Sequence, residues 1–283
     1  MCVTLFGATG VQSSFCHISD ARTTRKLVQL VARRLGLKVP SVCMHHRTDR
    51  FAELGFVLAG ILSTLGEAGL EIRDLQRSEV GELSEPWGKE QHSSSTMPQK
   101  QNPETSEWLE GLAKLGRGYA LSLMDIQQQH ERDISRLPPE LHALPNLFLQ
   151  TIAAVESANG IFSKLQVYPR RMRTNLMMNG GVIMAEAVML LLAKKSRKKV
   201  WAHQLCHDIS MTVTGKGGNF IEAVAANPEV RQHLTASDIK AMSDPAFYIG
   251  TAVSQVEETA KVARLKRRLA EQAFRKTLYA KPA

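Results

Sequence analysis

Cysteine is scarce and scattered. Cys2, Cys16, Cys43 and Cys206 form no Cys-x-x-Cys pair, so a disulfide framework or a structural zinc site has no support, and reduced thiols in a cytosol are expected. Met1 to Gly10 has no basic stretch leading into an apolar core and a small-residue cleavage site, and the apolar run Leu190 to Ala193 is too short to cross a bilayer. A soluble protein with no membrane partner is the expectation. There is no repeat of fixed period, no low-complexity tract and almost no β-type alternation. What is present is hydrophobic content, 43% of 283 residues, enough to bury the core of one large domain or two ordinary ones.

The formal charge of +9 would attract phosphates, polycarboxylates or nucleic acid through the same long-range field. The densest basic runs, Lys194 to Lys199 and Arg264 to Arg268, are not interleaved with aromatics that could stack on bases. They read as solvated faces, and nucleic-acid binding is the weakest functional reading.

From Phe51 the apolar positions Leu54, Leu58, Ile61, Leu65, Ala68, Ile72 and Leu75 follow in steps of three and four, the pattern of a long bundle helix. Gly55, Gly60, Gly66 and Gly69 each cost this helix about 1 kcal/mol relative to alanine, which close contact with neighbouring helices would offset. Arg77 to Gln101, with Gly81, Pro86, Gly88 and Pro98, reads as a loop rather than a helix or strand. Helical spacing returns after Pro103 with Trp108, Leu112, Leu115, Tyr119, Leu123 and Ile126, and again after Pro138 and Pro139 with Phe148, Ile152, Val155 and Phe162 on one face. Shorter elements follow Val167, and a last helix covers about Gly250 to Phe274. The expected architecture is all-α: a long-helix bundle over residues 1–166 and a smaller helical domain over 167–283. The methionines Met172, Met177, Met178, Met184 and Met189 read as packing.

Ser93-Ser94-Ser95-Thr96-Met97-Pro98-Gln99-Lys100-Gln101-Asn102-Pro103 is composed for handling anions. It offers hydroxyl and amide donors, one cation, and two prolines that stiffen the frame. Composition alone would equally suit a polar surface loop. The order of residues resembles the signature of the fumarase/aspartase superfamily, Gly-Ser-Ser-x-Met-Pro-x-Lys-x-Asn-Pro, matched at every defined position but the first, where Ser93 replaces glycine. The resemblance covers nearly the whole chain. Gly7 to Val11, Arg47 to Glu53, Glu79 to Leu83, His130 to Asp133, Asn175-Leu176, Ala185 to Ala187, Ala202-His203 and Asp244 to Gly250 are similar, in order, to segments of the branch that contains adenylosuccinate lyase and 3-carboxy-cis,cis-muconate cycloisomerase.

The resemblance implies proton abstraction from a carbon beside a carboxylate, followed by breaking or forming a Cα–O or Cα–N bond, with no metal or organic cofactor. It implies Ser94 as the base. Ser95, Met97, Lys100, Asn102, Arg132 and Ser135 are implied as substrate-binding groups, although Arg132, four residues before Arg136, also suits an exposed helix end. A serine hydroxyl acts as a base only where amides and a cation favour its ionised form and water is excluded. The implied partners are a small polycarboxylate and further copies of the chain, a homotetramer if complete. Without a fixed partner, His45, His46 and His203 read as surface or packing histidines.

Three departures bear on these expectations. Ser93 adds a side chain where the family keeps none. Trp108 stands where adenylosuccinate lyases commonly place an arginine, which favours a cycloisomerase-like substrate over a nucleotide. No His-Thr-His-like stretch, the family's general-acid motif, precedes the signature, so the chain is expected to correspond to the C-terminal two-thirds of a lyase. Two readings stand beside the cycloisomerase: an adenylosuccinate lyase releasing fumarate, and a non-catalytic member that keeps the bundle as a binding or structural protein.

Overall fold

The structure is a computed structural model and describes residues 2–43, 47–88, 96–127 and 134–278. The chain divides into two compact units, one from Met1 to Val167 and one from Tyr168 to Tyr279. In the first, α1 (Ser13–Ile18) and α2 (Ala21–Arg34) precede the long α3 (Asp49–Gln76). Asp20 caps α2 by accepting from the Arg22 and Thr23 amides. Strand β1 (Leu83–Ser84), α4 (Glu104–Asp125), α5 (Leu137–Phe162) and β2 (Gln166–Val167) complete the unit.

Helices α3, α4 and α5 share one core containing Leu58, Leu62, Leu109, Leu123, Leu147 and Ile161. The expected helices are present, and their expected stripes meet the core in part: Leu58, Ile72, Leu123 and Ile126 are buried, with Phe51, Leu54, Leu65, Leu112 and Tyr119 packed against them. On α5 the buried positions are Ala143, Leu147, Thr151, Ala154, Ala158 and Ile161. Phe148, Ile152, Val155 and Phe162, expected on one face of this helix, are exposed. On α4 the buried row is Ser106, Leu109, Ala113, Gly116, Ala120 and Leu123, while Trp108 and Leu115 face outward. On α3, Leu58 and Ile72 are buried as expected, but Ile61 is exposed and the inward row contains Ala52, Gly55, Ala59, Gly66 and Gly69. Small residues let helix backbones approach closely, which dense packing rewards. A Cβ on Gly66 would meet the Ala113 Cβ at 2.6 Å, and one on Gly55 would meet Leu123 Cδ1 at 2.8 Å. Close helix contact is therefore as expected at Gly55, Gly66 and Gly69 but not at Gly60, where an added Cβ would meet nothing within 4 Å. By length and composition α3 would also suit a membrane span, and its inner face is the one packed against α4.

The segment expected to be loop throughout contains a correction. β1 pairs antiparallel with β2, Leu83 opposite Val167 and Ser84 opposite Gln166. Two residues per strand are too few to show periodicity in a sequence. The pairing joins the end of α5 to the entry of the signature segment. At the other end of the bundle, the buried Thr48 hydroxyl donates to the Ile126 carbonyl (3.0 Å), satisfying an acceptor at the C-terminus of α4.

The second unit contains α6 (Pro169–Leu176), α7 (Ala185–Ser196), α8 (Lys199–Lys216), α9 (Phe220–Ala226), α10 (Pro228–Arg231), α11 (Ala236–Ala241) and α12 (Ala252–Leu278). Its core gathers Val188, Leu192, Phe220, Val224, Val230 and Met242. Gly180, at φ +64°, cannot be replaced without strain, since a Cβ there would lie 2.1 Å from the Gly218 carbonyl oxygen. Of the methionines, Met184 is buried and Met189 packs against this core, whereas Met178 is exposed. Val253, Val256, Leu265 and Leu269 of α12 are exposed.

Candidate functional site

Ser93, Ser94, Ser95 and Arg132 lie outside the described residues, as do His45 and His46. The described part of the signature begins at Thr96. The Lys100 amide donates to the Met97 carbonyl (3.0 Å), forming a turn that leaves Lys100 exposed, and the Glu104 amide donates to the Asn102 carbonyl (2.9 Å) as α4 begins. Asn102 is half-buried. Met97, Lys100 and Asn102 thus stand together immediately ahead of α4.

The ends of this segment are tied. Pro103 occupies the N-cap position of α4 and provides no side-chain cap. The carboxylate of Glu85 takes that role, accepting from the Ser106 amide at 2.6 Å. Glu85 is buried, 4% exposed. A negative group suits the positive end of a helix, and Glu104 and Glu107 add acid to the same first turn. Gln76, the last residue of α3, accepts from the Glu85 amide (2.8 Å) and donates to the Gln101 carbonyl (3.1 Å). Sequence reasoning missed both residues, although a proline at an N-cap is a signal that some other group must satisfy the first turn. An open cavity of about 450 Å³ lies beside Glu85, lined also by Trp87, Thr105, Ser157, Ile161 and Lys164.

Ser135 stands elsewhere. It precedes α5, past the C-terminal end of α4, and α4's 22 residues rise about 33 Å. The bundle therefore does not bring Ser135 to Lys100 within one chain. Next to Ser135, Arg136 forms an ion pair with Glu140. His203 is exposed on α8. Among the described residues no group of three or more His, Cys, Asp or Glu side chains is arranged to hold a metal ion.

In the second unit the structure joins two segments that carry the resemblance. The Tyr248 hydroxyl is held above its ordinary pKa by partial desolvation first and then by the charge of the nearby Glu186 carboxylate. Arg173 pairs with Asp244 at 3.4 Å.

Residues 5–115 match the sequence profile of the family described as Lyase, and residues 181–259 match Adenylosuccinate lyase C-terminus. The chain belongs to the fumarase/aspartase superfamily. N-acetyl-S-(2-succino)cysteine lyase of Dickeya dadantii (strain 3937) is 34% identical over 91% of this chain and 56% of its own length. Adenylosuccinate lyase of Pyrococcus abyssi (strain GE5 / Orsay) is 35% identical over 89% of the chain and 55% of its own length. The 3-carboxy-cis,cis-muconate lactonizing enzyme of Pseudomonas putida has the same fold, with a TM-score of 0.79 and 28% identity over 89% of this chain and 55% of that one. The chain thus spans little more than half the length of these superfamily members.

Proposed function

We propose that this chain is the signature-bearing part of a lyase or cycloisomerase acting on a small polycarboxylate, with a 3-carboxy-cis,cis-muconate-like substrate the favoured reading. The observation that carries it is the placement of Met97, Lys100 and Asn102 in signature order just ahead of α4, with Lys100 exposed as a cation. In the elimination direction, Ser94 as alkoxide takes the Cβ proton. The C–H electron pair moves into the adjacent carboxylate, and Lys100 and backbone amides meet the growing charge of that dianion. The pair then returns to form the Cα–Cβ double bond as the Cα–O or Cα–N bond breaks. The leaving group keeps the bonding electrons and takes a proton from a general acid, which the resemblance locates ahead of the segment that begins at Gly7. Addition and lactonization run the same steps in reverse.

A second reading is an adenylosuccinate lyase releasing fumarate, in keeping with the Pyrococcus relative. Trp108, 71% exposed where those enzymes commonly keep an arginine, weighs toward a substrate without a nucleotide. The Dickeya relative, named for an S-(2-succino) compound, supports a succinyl-type substrate of that kind. Because Lys100 and Ser135 lie at opposite ends of α4, a site that uses both draws on more than one copy. The outward apolar faces of α3, α4 and α5 suit such an assembly, a homotetramer in the cytoplasm, working without metal or organic cofactor.

Titration calorimetry of the chain with 3-carboxy-cis,cis-muconate and with fumarate tests this reading. Binding weakened about tenfold or more by Lys100→Met is expected, since the carboxylate loses its charge partner. Equal affinity in wild type and variant contradicts it, and a chain that binds neither compound is the non-catalytic member.

A further inference from the structure

We propose that Gln76 and Glu85 are positioning residues for the lyase reaction, closing the base of the signature segment and thereby fixing where Lys100 and Asn102 stand. The inference rests on the lyase reading above. Helix α4 starts with amides that need acceptors, and Pro103 at its N-cap offers no side-chain oxygen. Glu85, reached 21 positions earlier in the chain, accepts from the Ser106 amide at 2.6 Å. Its carboxylate is buried, and a buried carboxylate is costly unless hydrogen bonds compensate it. Packing alone would be served by leucine. The residue is therefore specified by the amide it caps.

Gln76 holds the two sides of the segment to each other. One side-chain amide both accepts and donates. Here its oxygen takes the Glu85 amide on the incoming side, and its nitrogen reaches the Gln101 carbonyl on the outgoing side. Gln101 sits between Lys100 and Asn102, so displacement of its carbonyl displaces both neighbours. The anchor is firm, because Gln76 ends α3 and α3 is pressed against the start of α4. A Cβ on Gly69 would lie 2.6 Å from the Ser106 carbonyl oxygen. The same residue, Ser106, is thus gripped through its amide by Glu85 and through its carbonyl side by the glycine row of α3.

The test uses the chain with Gln76→Glu, which keeps the acceptor for Glu85 but replaces the donor to Gln101 with a second acceptor. Glu85→Leu removes the cap, and Glu85→Gln keeps a neutral acceptor. Affinities for 3-carboxy-cis,cis-muconate and fumarate are measured together with amide hydrogen exchange. Gln76→Glu and Glu85→Leu are expected to weaken both ligands about tenfold and to speed exchange over residues 101–107, with α7 and α8 unchanged. Glu85→Gln should recover wild-type affinity to within about threefold, a rescue that simple loss of packing would not give. Unchanged affinity in Gln76→Glu and Glu85→Leu overturns the positioning role. So does faster exchange spread evenly through α3, α4 and α5, which would mark a purely structural role. If the wild-type chain binds neither ligand, the lyase reading fails and the positioning role fails with it.

Discussion

Lys100 and Ser135 stand at opposite ends of α4, one just ahead of its first turn and the other beyond its last. A helix of 22 residues rises about 33 Å, several times the reach of a small polycarboxylate. If both residues serve one site, they come from different copies of the chain.

This yields a complementation prediction. Lys100→Met and Ser135→Ala chains, each supplied with the N-terminal region of a complete relative, should be impaired alone and regain turnover when mixed and reassembled. With equal mixing, about a quarter of sites would combine an intact Lys100 with an intact Ser135. No recovery, with each variant impaired alone, would mean that both residues act from one copy. Full activity of Ser135→Ala alone would place Ser135 outside the site.

The glycine row on α3 predicts opposite outcomes for two similar substitutions. Gly69→Ala drives a Cβ to 2.6 Å from the Ser106 carbonyl oxygen, a backbone atom that cannot swing aside. Overpacking of this kind costs about 1–3 kcal/mol. Gly60 has nothing within 4 Å, so Gly60→Ala should gain up to about 1 kcal/mol of helix propensity. Urea denaturation of the two variants beside wild type reads both signs.

The helices were legible in the sequence, and their buried faces only in part: Leu58, Ile72, Leu123 and Ile126 are in the core as their spacing suggests, whereas the α5 stripe is not. Periodicity located α3, α4 and α5 because apolar residues recur every three or four positions. It also favoured large side chains, so it gave Phe148, Ile152, Val155 and Ile61 a common apolar stripe but passed over Ala154, Ala158, Gly66 and Gly69, which line the buried rows. Glycine and alanine carry little apolar signal, yet they permit the closest helix approach, and the large residues are left for surfaces that one chain does not cover. The signature order singled out Met97, Lys100 and Asn102 as candidates. It said nothing of Glu85 or Gln76, whose contacts depend on the chain folding back across α3 and the turn after it. Nor did it give the separation of Lys100 from Ser135, which follows from the length of α4.

Acid should loosen the second unit through Asp238. Its carboxyl is held at about 2, from an ordinary 3.8, first by a hydrogen bond from Lys195 and then by Thr235 in a capping box at the start of α11. A lowered folded-state pKa contributes stability that is fully present above 3.8 and is lost as pH falls through about 2. The pair is at the surface, so the effect should be small and weakened by salt. Thermal melts between these pH values should show a slope that Asp238→Asn removes. An identical slope in the variant would assign the acid sensitivity to other groups.

One thiol of the four should be slow. Cys206 is buried on α8, and burial pushes its pKa up to about 11, whereas Cys2, Cys16 and Cys43 are partly exposed. Because the thiolate is the reactive form, titration with a disulfide reagent should release Cys206 only on unfolding. Fast release of all four from the native chain would contradict its placement in the core.

The most direct test of the central claim, a lyase whose base is Ser94, is turnover followed by ultraviolet absorbance with 3-carboxy-cis,cis-muconate and with adenylosuccinate. It compares residues 1–283 alone, residues 1–283 with a separately expressed N-terminal fragment of a complete relative, and that mixture carrying Ser94→Ala. Turnover of one substrate is expected in the mixture and not in the chain alone, since loss of a general acid costs about a hundredfold to ten-thousandfold. Ser94→Ala should then lower kcat by about a thousandfold while leaving substrate affinity nearly unchanged. Wild-type kcat in the Ser94→Ala mixture, or no turnover of either substrate in the wild-type mixture, would contradict the account.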